Sequence, residues 1–198
     1  MMKANLNATH FMVDLETLDT KPTAHILETA FVCFNPVTGE VYDEWSLHAR
    51  HGLEQQDGST INAPTIEWWF DTNKEYLAEL FKPSEKVSLY DTLFRILGLL
   101  EMARKTGKVC VWNTGSFDTD ILNNAFRRMF GQSDLISFFE VRDVRAIRQI
   151  SSMYDTVNQD KGKGTHNAWE DCIRQIKWIT NLTSALEEHL PEGGENAE

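Results

Sequence analysis

The spacing of apolar residues changes period along this chain, and the changes mark out its elements. Residues 9–17 (THFMVDLET) and 26–35 (ILETAFVCFN) are short runs rich in aromatic and β-branched side chains, which predicts two strands. The stretch Asn35-Pro36-Val37-Thr38-Gly39 supplies a turn, and residues 41–48 predict a third strand. Short connections between the three imply an antiparallel meander. Residues 51–63 are polar and predict a loop. Pro64 suits the first turn of a short helix carrying Thr65-Ile66-Glu67-Trp68-Trp69, and a second helical stretch over 73–81 stops before Pro83.

From residue 89 the period becomes helical. Leu89, Leu93, Ile96, Leu97, Leu100 and Ala103 share a broad stripe that reads as core, and Gly107 ends it. Residues 108–112 (KVCVW) predict a buried strand, 117–130 a helix, 138–142 a short strand, 144–150 a helix and 166–188 the last helix. Residues 153–165 are polar and glycine-rich and predict a mobile segment, and 191–198 predict a disordered acidic tail. Meander strands followed by alternating helix and strand imply one α/β domain over 1–190, a mixed five-stranded sheet flanked by helices.

Composition narrows the setting. A chain of 198 residues, 41% hydrophobic and 25% charged, builds one well-buried core. No apolar run reaches the ~20 residues that cross a bilayer, and the N-terminus lacks a secretory pattern, so the expectation is a cytoplasmic protein with no membrane contact. Cys33, Cys110 and Cys172 are too scattered for a metal motif and read as buried, reduced thiols. The net charge of −11 argues against a protein that coats nucleic acid. It is uneven, however: residues 101–163 hold 10 Lys+Arg against 8 Asp+Glu, and the remainder holds 9 against 22. A local pocket gripping one chain end remains compatible with it.

Three acidic motifs carry the candidate chemistry. Asp14-Leu15-Glu16 closes the first strand; side chains two apart share a face, so both carboxylates project together, as a divalent cation requires or as two surface acids would. Phe117-Asp118 follows a buried strand and opens a helix, where α/β sheets place ligands, although acids also favour helix starts for dipole reasons. Asp120 lies about 200° away round that helix, so one of the two faces the site, and the neighbouring Phe117 favours Asp118. His166 is the one histidine of six with an aspartate, Asp171, five residues on. On a helix the two side chains would lie about 140° apart, which suits different jobs. Thr165 reads as that helix's N-cap, and His166 could itself be a capping or surface residue.

In this order, Asp14-x-Glu16, Phe117-Asp118 and His166-x4-Asp171 resemble the three motifs of the DEDDh group of ribonuclease H-like exonucleases, which includes oligoribonuclease, ribonuclease T and the proofreading subunit of DNA polymerase III. Thr65-Ile66-Glu67-Trp68-Trp69, Arg142-Asp143-Val144-Arg145 and the loop before His166 are similar to the phage and bacterial branch near exodeoxyribonuclease VIII and the T-even phage exonuclease A. The resemblance implies a ribonuclease H-like fold and a 3′-5′ exonuclease that releases nucleoside 5′-monophosphates from single-stranded nucleic acid with a free 3′ end, DNA favoured. It implies Asp14, Glu16, Asp118 and Asp171 as ligands of two divalent ions, Mg²⁺ or Mn²⁺, with Asp14 bridging both, and His166 as general base.

Substrate contacts are less marked. Asn113 is a candidate for orienting the end nucleotide, and Arg142, Arg145, Arg148, Lys161 and Lys163 for phosphate contacts. Trp68 and Trp69 point about 100° apart on a helix, which predicts one in the core and one partly exposed. A homodimer, as some relatives form, stays open. Rival expectations are an exoribonuclease acting on short RNA, a non-catalytic nucleic-acid-binding module, and a phosphohydrolase of small nucleotides.

Overall fold

In the computed structural model, which describes residues 8–54, 56–82, 86–152 and 164–189, five strands form one sheet in the order β3-β2-β1-β4-β5. The strands are β1 (Ala8–Thr17), β2 (Ile26–Phe34), β3 (Leu47–Arg50), β4 (Lys108–Asn113) and β5 (Val141–Asp143). The first three pair antiparallel as the expected meander; β4 adds parallel to β1, and β5 parallel to β4. Between and after them run α1 (Ala63–Leu80), α2 (Leu89–Thr106), α3 (Phe117–Phe130), α4 (Val144–Ser152) and α5 (Ala168–His189).

The central strand has to satisfy two layers at once. Phe11, Val13 and Leu15 of β1 join Val109 and Val111 of β4 in one core with Leu93, Ile96 and Leu100 of α2 and Ile121, Leu122 and Ala125 of α3. On the other face Met12, with Ala30, Val32 and Phe34 of β2, meets Ala168, Cys172, Ile176 and Ile179, the helically spaced stripe of α5. Strand alternation therefore sends Asp14 and Glu16 to the α5 side. The three cysteines are free and buried, packed as small apolar side chains. Among the described residues, no helix is long and apolar enough to cross a membrane.

Several boundaries differ from expectation. The third strand lies at Leu47–Arg50 instead of 41–48: Val41 makes an isolated bridge to Phe34, and Asp43-Glu44-Trp45 turn as a short 3-10 helix. The fifth strand starts at Val141, where pairing with Val111 begins; Phe138 and Phe139 before it form a turn and are 85% and 83% exposed. The helical stretches over 65–69 and 73–81 form one helix kinked at Asn73, whose φ of −155° and ψ of 59° leave the helical region. The last helix begins at Ala168, so His166 precedes it. The segment 153–163 and the tail 191–198 lie outside the described residues.

Candidate active site

Four carboxylates meet at the C-terminal ends of β1 and β4. Asp14 and Glu16 come from β1; Asp118 comes from the first turn of α3, reached through the tight Thr114-Gly115-Ser116 turn. Gly115 has φ +78°, which a side chain rarely adopts, and a Cβ there would lie 3.5 Å from the Arg145 guanidinium. Asp118 is locked in place because its Oδ1 accepts the Leu15 backbone N–H at 3.1 Å, tying α3 to the acid pair. Asp120 is exposed and instead accepts from the Ser116 hydroxyl. Of the two acids, Asp118 lines the cleft with the acid pair and Asp120 does not.

Asp171 reaches the same cleft from the first turn of α5. Its Oδ1 accepts from the Thr165 N–H and hydroxyl, each at 3.1 Å, and pairs with Arg174 at 3.0 Å. Thr165 is therefore not the cap of this helix; Asn167 is, its Oδ1 accepting the Glu170 N–H at 3.0 Å. His166 sits between them in the left-handed region, with φ 54°. That conformation, and not a helical offset of 140°, sets its direction. A ring nitrogen of His166 and carboxylate oxygens of Glu16 and Asp171 lie within 4.8 Å of one another. Gly164 passes so near that a Cβ would stand 3.1 Å from Asp171 Oδ2.

Crowding so many acids has an electrostatic cost. Loss of hydration, then the Asp118, Glu16 and Asp171 carboxylates, push the Asp14 carboxyl well above its usual range. Burial, then Glu28, Asp171 and Asp118, do the same to Glu16, and burial pushes Asp118 up to about 7. Burial lowers the His166 pKa, Asp171 opposing it, so the imidazole is neutral and able to accept a proton at neutral pH. Convergent carboxylate oxygens, with Asp14 and Glu16 raised first by burial and then by their acidic neighbours, are the donor set that hard divalent cations suit. Among the described residues, Arg174 is the one cation shown paired to this group of acids.

The cleft has a volume of about 380 Å³ and is lined by all five of these side chains together with Arg145, Arg148 and Gln175. Gln175, one turn beyond Asp171, donates to Asp14 Oδ1 at 2.9 Å and accepts from the Thr114 hydroxyl. Sequence reasoning missed it, although its i+4 offset from Asp171 places both on one helix face. A second hollow of about 430 Å³ adjoins the cleft, sharing Leu15, Glu16 and Phe117 and adding Asn62, Thr65 and Trp68. Trp69 is 1% exposed and anchors α1 by donating to the Thr17 carbonyl, whereas Trp68 is 41% exposed, the division expected of neighbouring helix positions.

The expected substrate contacts are only partly gathered. Arg145 and Arg148 line the cleft; the Arg148 guanidinium lies over the Trp178 ring, 4.0 Å from its centre. Asn113 does not line it. Alternation along β4 turns its side chain to the same side as Val109 and Val111, where it is buried and bonded to Thr119 and the Arg142 carbonyl. Arg142 is also absent from the lining, its guanidinium held by the Phe139 and Val141 carbonyls. Lys161 and Lys163 fall outside the described residues.

This sheet order, with helices on both faces, is the fold of ribonuclease H-like nucleases of the DEDDh type. The nuclease domain of 3′hExo, a DEDDh family member bound to rAMP, superposes with a TM-score of 0.55 at 12% identity, covering 91% of this chain and 92% of that one. Pop2p of S. pombe, in its Mg²⁺- and Mn²⁺-bound form, gives 0.52 at 10% identity, covering 92% and 86%. The model of the family described as the 3′-5′ exoribonuclease Rv2179c-like domain matches residues 9–183, and the chain belongs to that family. It is a 3′-5′ exonuclease by family. The exodeoxyribonuclease of Enterobacteria phage T4 is 26% identical over 208 residues, covering 90% of this chain and 92% of the phage protein.

Proposed function

We propose that the protein removes nucleotides one at a time from the 3′ end of single-stranded nucleic acid, releasing nucleoside 5′-monophosphates. The observation that carries this reading is the convergence of Asp14, Glu16, Asp118 and Asp171 with a neutral His166 in one open cleft. The four carboxylates are the residues to hold two divalent cations, Mg²⁺ or Mn²⁺, whose chemistry when bound is Lewis-acid stabilisation of the attacked phosphodiester and of the leaving 3′ oxygen. His166 accepts the proton of the attacking water. Gln175 fixes the rotamer of Asp14, and the Leu15 N–H fixes that of Asp118. Arg145 and Arg148 take the phosphate of the incoming strand. The terminal nucleoside occupies the hollow between Trp68 and Phe117.

DNA is the favoured substrate, and the chain then sits with the phage exonuclease A-like branch. The near full-length likeness to the T4 exodeoxyribonuclease supports this. RNA is the second reading, favoured by the description of the matching family. A digestion ladder tests both. With Mg²⁺ or Mn²⁺, 5′-labelled single strands should shorten stepwise from the 3′ end, DNA faster than RNA of equal sequence. EDTA or a 3′-phosphate should stop the reaction. Internal nicking or trimming from the 5′ end would sink the proposal; faster shortening of RNA would replace the first substrate by the second.

A further inference from the structure

One carboxylate near the cleft takes no part in it. Glu28 lies in β2 as the direct cross-strand partner of Glu16, on the α5 side of the sheet, and is fully buried. Placing like charges opposite each other is unfavourable, and burying an anion costs far more unless it is hydrogen-bonded. Glu28 is saturated with donors. Its Oε1 accepts from His48 Nε2 at 2.8 Å, Arg50 Nε at 3.3 Å and the Tyr76 hydroxyl at 2.7 Å. Its Oε2 accepts from the Ala168 N–H at 3.0 Å and again from Tyr76 at 2.8 Å. Burial alone would raise its pKa, but these bonds outweigh burial and hold the carboxyl below its usual range. With both oxygens engaged and no place in the cleft lining, Glu28 is not a fifth metal ligand.

Two of these donors, Ala168 and Tyr76, lead to His166. Ala168, the first residue of α5, is two positions beyond it, so Glu28 pins the end of the left-handed turn that aims the imidazole. Tyr76 belongs to α1, three residues past the kink at Asn73, where the Asn73 Oδ1 accepts the Tyr76 N–H at 3.2 Å. Asn73 Nδ2 in turn donates to the Thr165 carbonyl at 2.9 Å, just before His166. The first half of the same helix brings Trp68 into a T-shaped contact with the imidazole, ring centres 4.6 Å apart and planes at 89°. The turn is thus clamped on both flanks by groups that converge on one carboxylate.

We propose that Glu28 is a positioning residue for His166, acting through Ala168 of α5 and through the Tyr76–Asn73 arm of α1 to hold the imidazole against Trp68 and over the acid cluster. This rests on the reading of His166 as the general base. A left-handed non-glycine residue is unfavourable by itself and persists because its surroundings over-determine it; here Glu28 supplies that determination from outside the cleft.

The test is a double-mutant cycle between Glu28→Gln and His166→Asn, asparagine being chosen because it tolerates the left-handed region. In the wild-type background Glu28→Gln should lower kcat on the order of tenfold, with KM and Mn²⁺ affinity little changed, as misaiming a catalytic group does. In the His166→Asn background the same change should cost less than about twofold, because the group it aims is gone. Equal losses in the two backgrounds, or no loss in either, would overturn the proposal. Should Glu28→Gln fail to fold, Tyr76→Phe carries the same test, since it cuts the α1 arm and leaves the carboxylate with His48, Arg50 and Ala168.

A readout independent of turnover separates this idea from the exonuclease reading. The ring current of Trp68 should displace the His166 ring protons from their random-coil positions in the NMR spectrum, and Glu28→Gln or Tyr76→Phe should return them toward those positions. An unchanged shift in both variants sinks the positioning role even if the enzyme is active. A wild type without exonucleolysis sinks the functional reading and leaves the spectral test standing.

Discussion

Replacing Asp118 by asparagine is expected to remove 3′-end shortening altogether, a loss beyond the roughly 10–100-fold that follows removal of an outer-shell partner of a metal site. Asparagine has the same shape, and its carbonyl oxygen can still accept the Leu15 N–H, so the β1–α3 tie survives. What disappears is one negative charge of four. Stability separates this loss from misfolding. The folded Asp118 carboxyl, with a pKa pushed from 3.8 up to about 7, keeps its proton where the unfolded chain has lost it. Its contribution to metal-free stability is therefore complete below about pH 4 and is lost as the pH rises through about 7. The substituted amide has no such proton to lose. The melting temperature of the metal-free variant should gain on wild type between pH 5 and pH 8, and calorimetric Mn²⁺ binding should collapse. Surviving exonuclease activity, or a variant that loses ground to wild type over that pH range, would contradict the assignment.

The second large effect belongs to His166. Positioned general bases contribute about 10²–10⁴-fold, and His166→Asn should lower kcat by that factor while Mn²⁺ affinity stays nearly intact. Wild-type activity should also fall on the acid side of neutrality as the imidazole takes up a proton. Because burial lowers its pKa, that limb should lie below 6.5 at saturating Mn²⁺, which keeps the four carboxylates ionised, and under that condition it should be missing from the variant's profile. The geometry permits a different outcome, since the ring nitrogen is as near to Glu16 and Asp171 as a ligand would be. Titration calorimetry decides: if His166→Asn abolishes Mn²⁺ binding, the imidazole is a ligand and the base must be sought elsewhere.

Much of this was legible in the residue order because the strongest signals were local. β1, β2, α2 and α3 follow from runs and periods that no tertiary contact had to correct. Alternation alone puts Asp14 and Glu16 on one face of β1, whereas a helix start after a buried strand suits Asp118 and Asp120 alike, and only the neighbouring Phe117 favours the first. The failures have tertiary causes. Phe138-Phe139 carry high strand propensity, yet β5 begins where β4 offers a partner, at Val141. Asn113, a candidate for orienting the end nucleotide, shares the parity of Val111, which sends its side chain to the opposite layer. Offsets on a helix misdescribed His166 because one left-handed residue takes it off the helix. Glu28 left a trace that could have been followed: a single acid inside ILETAFVCF, every residue of which is buried.

The most direct test of the central claim is the anomalous scattering of a crystal grown with Mn²⁺. Difference density should show ions enclosed by Asp14, Glu16, Asp118 and Asp171, roughly 3.5–4 Å apart where two are bound. Density at saturating Mn²⁺ that leaves these four carboxylates without an ion would contradict the account.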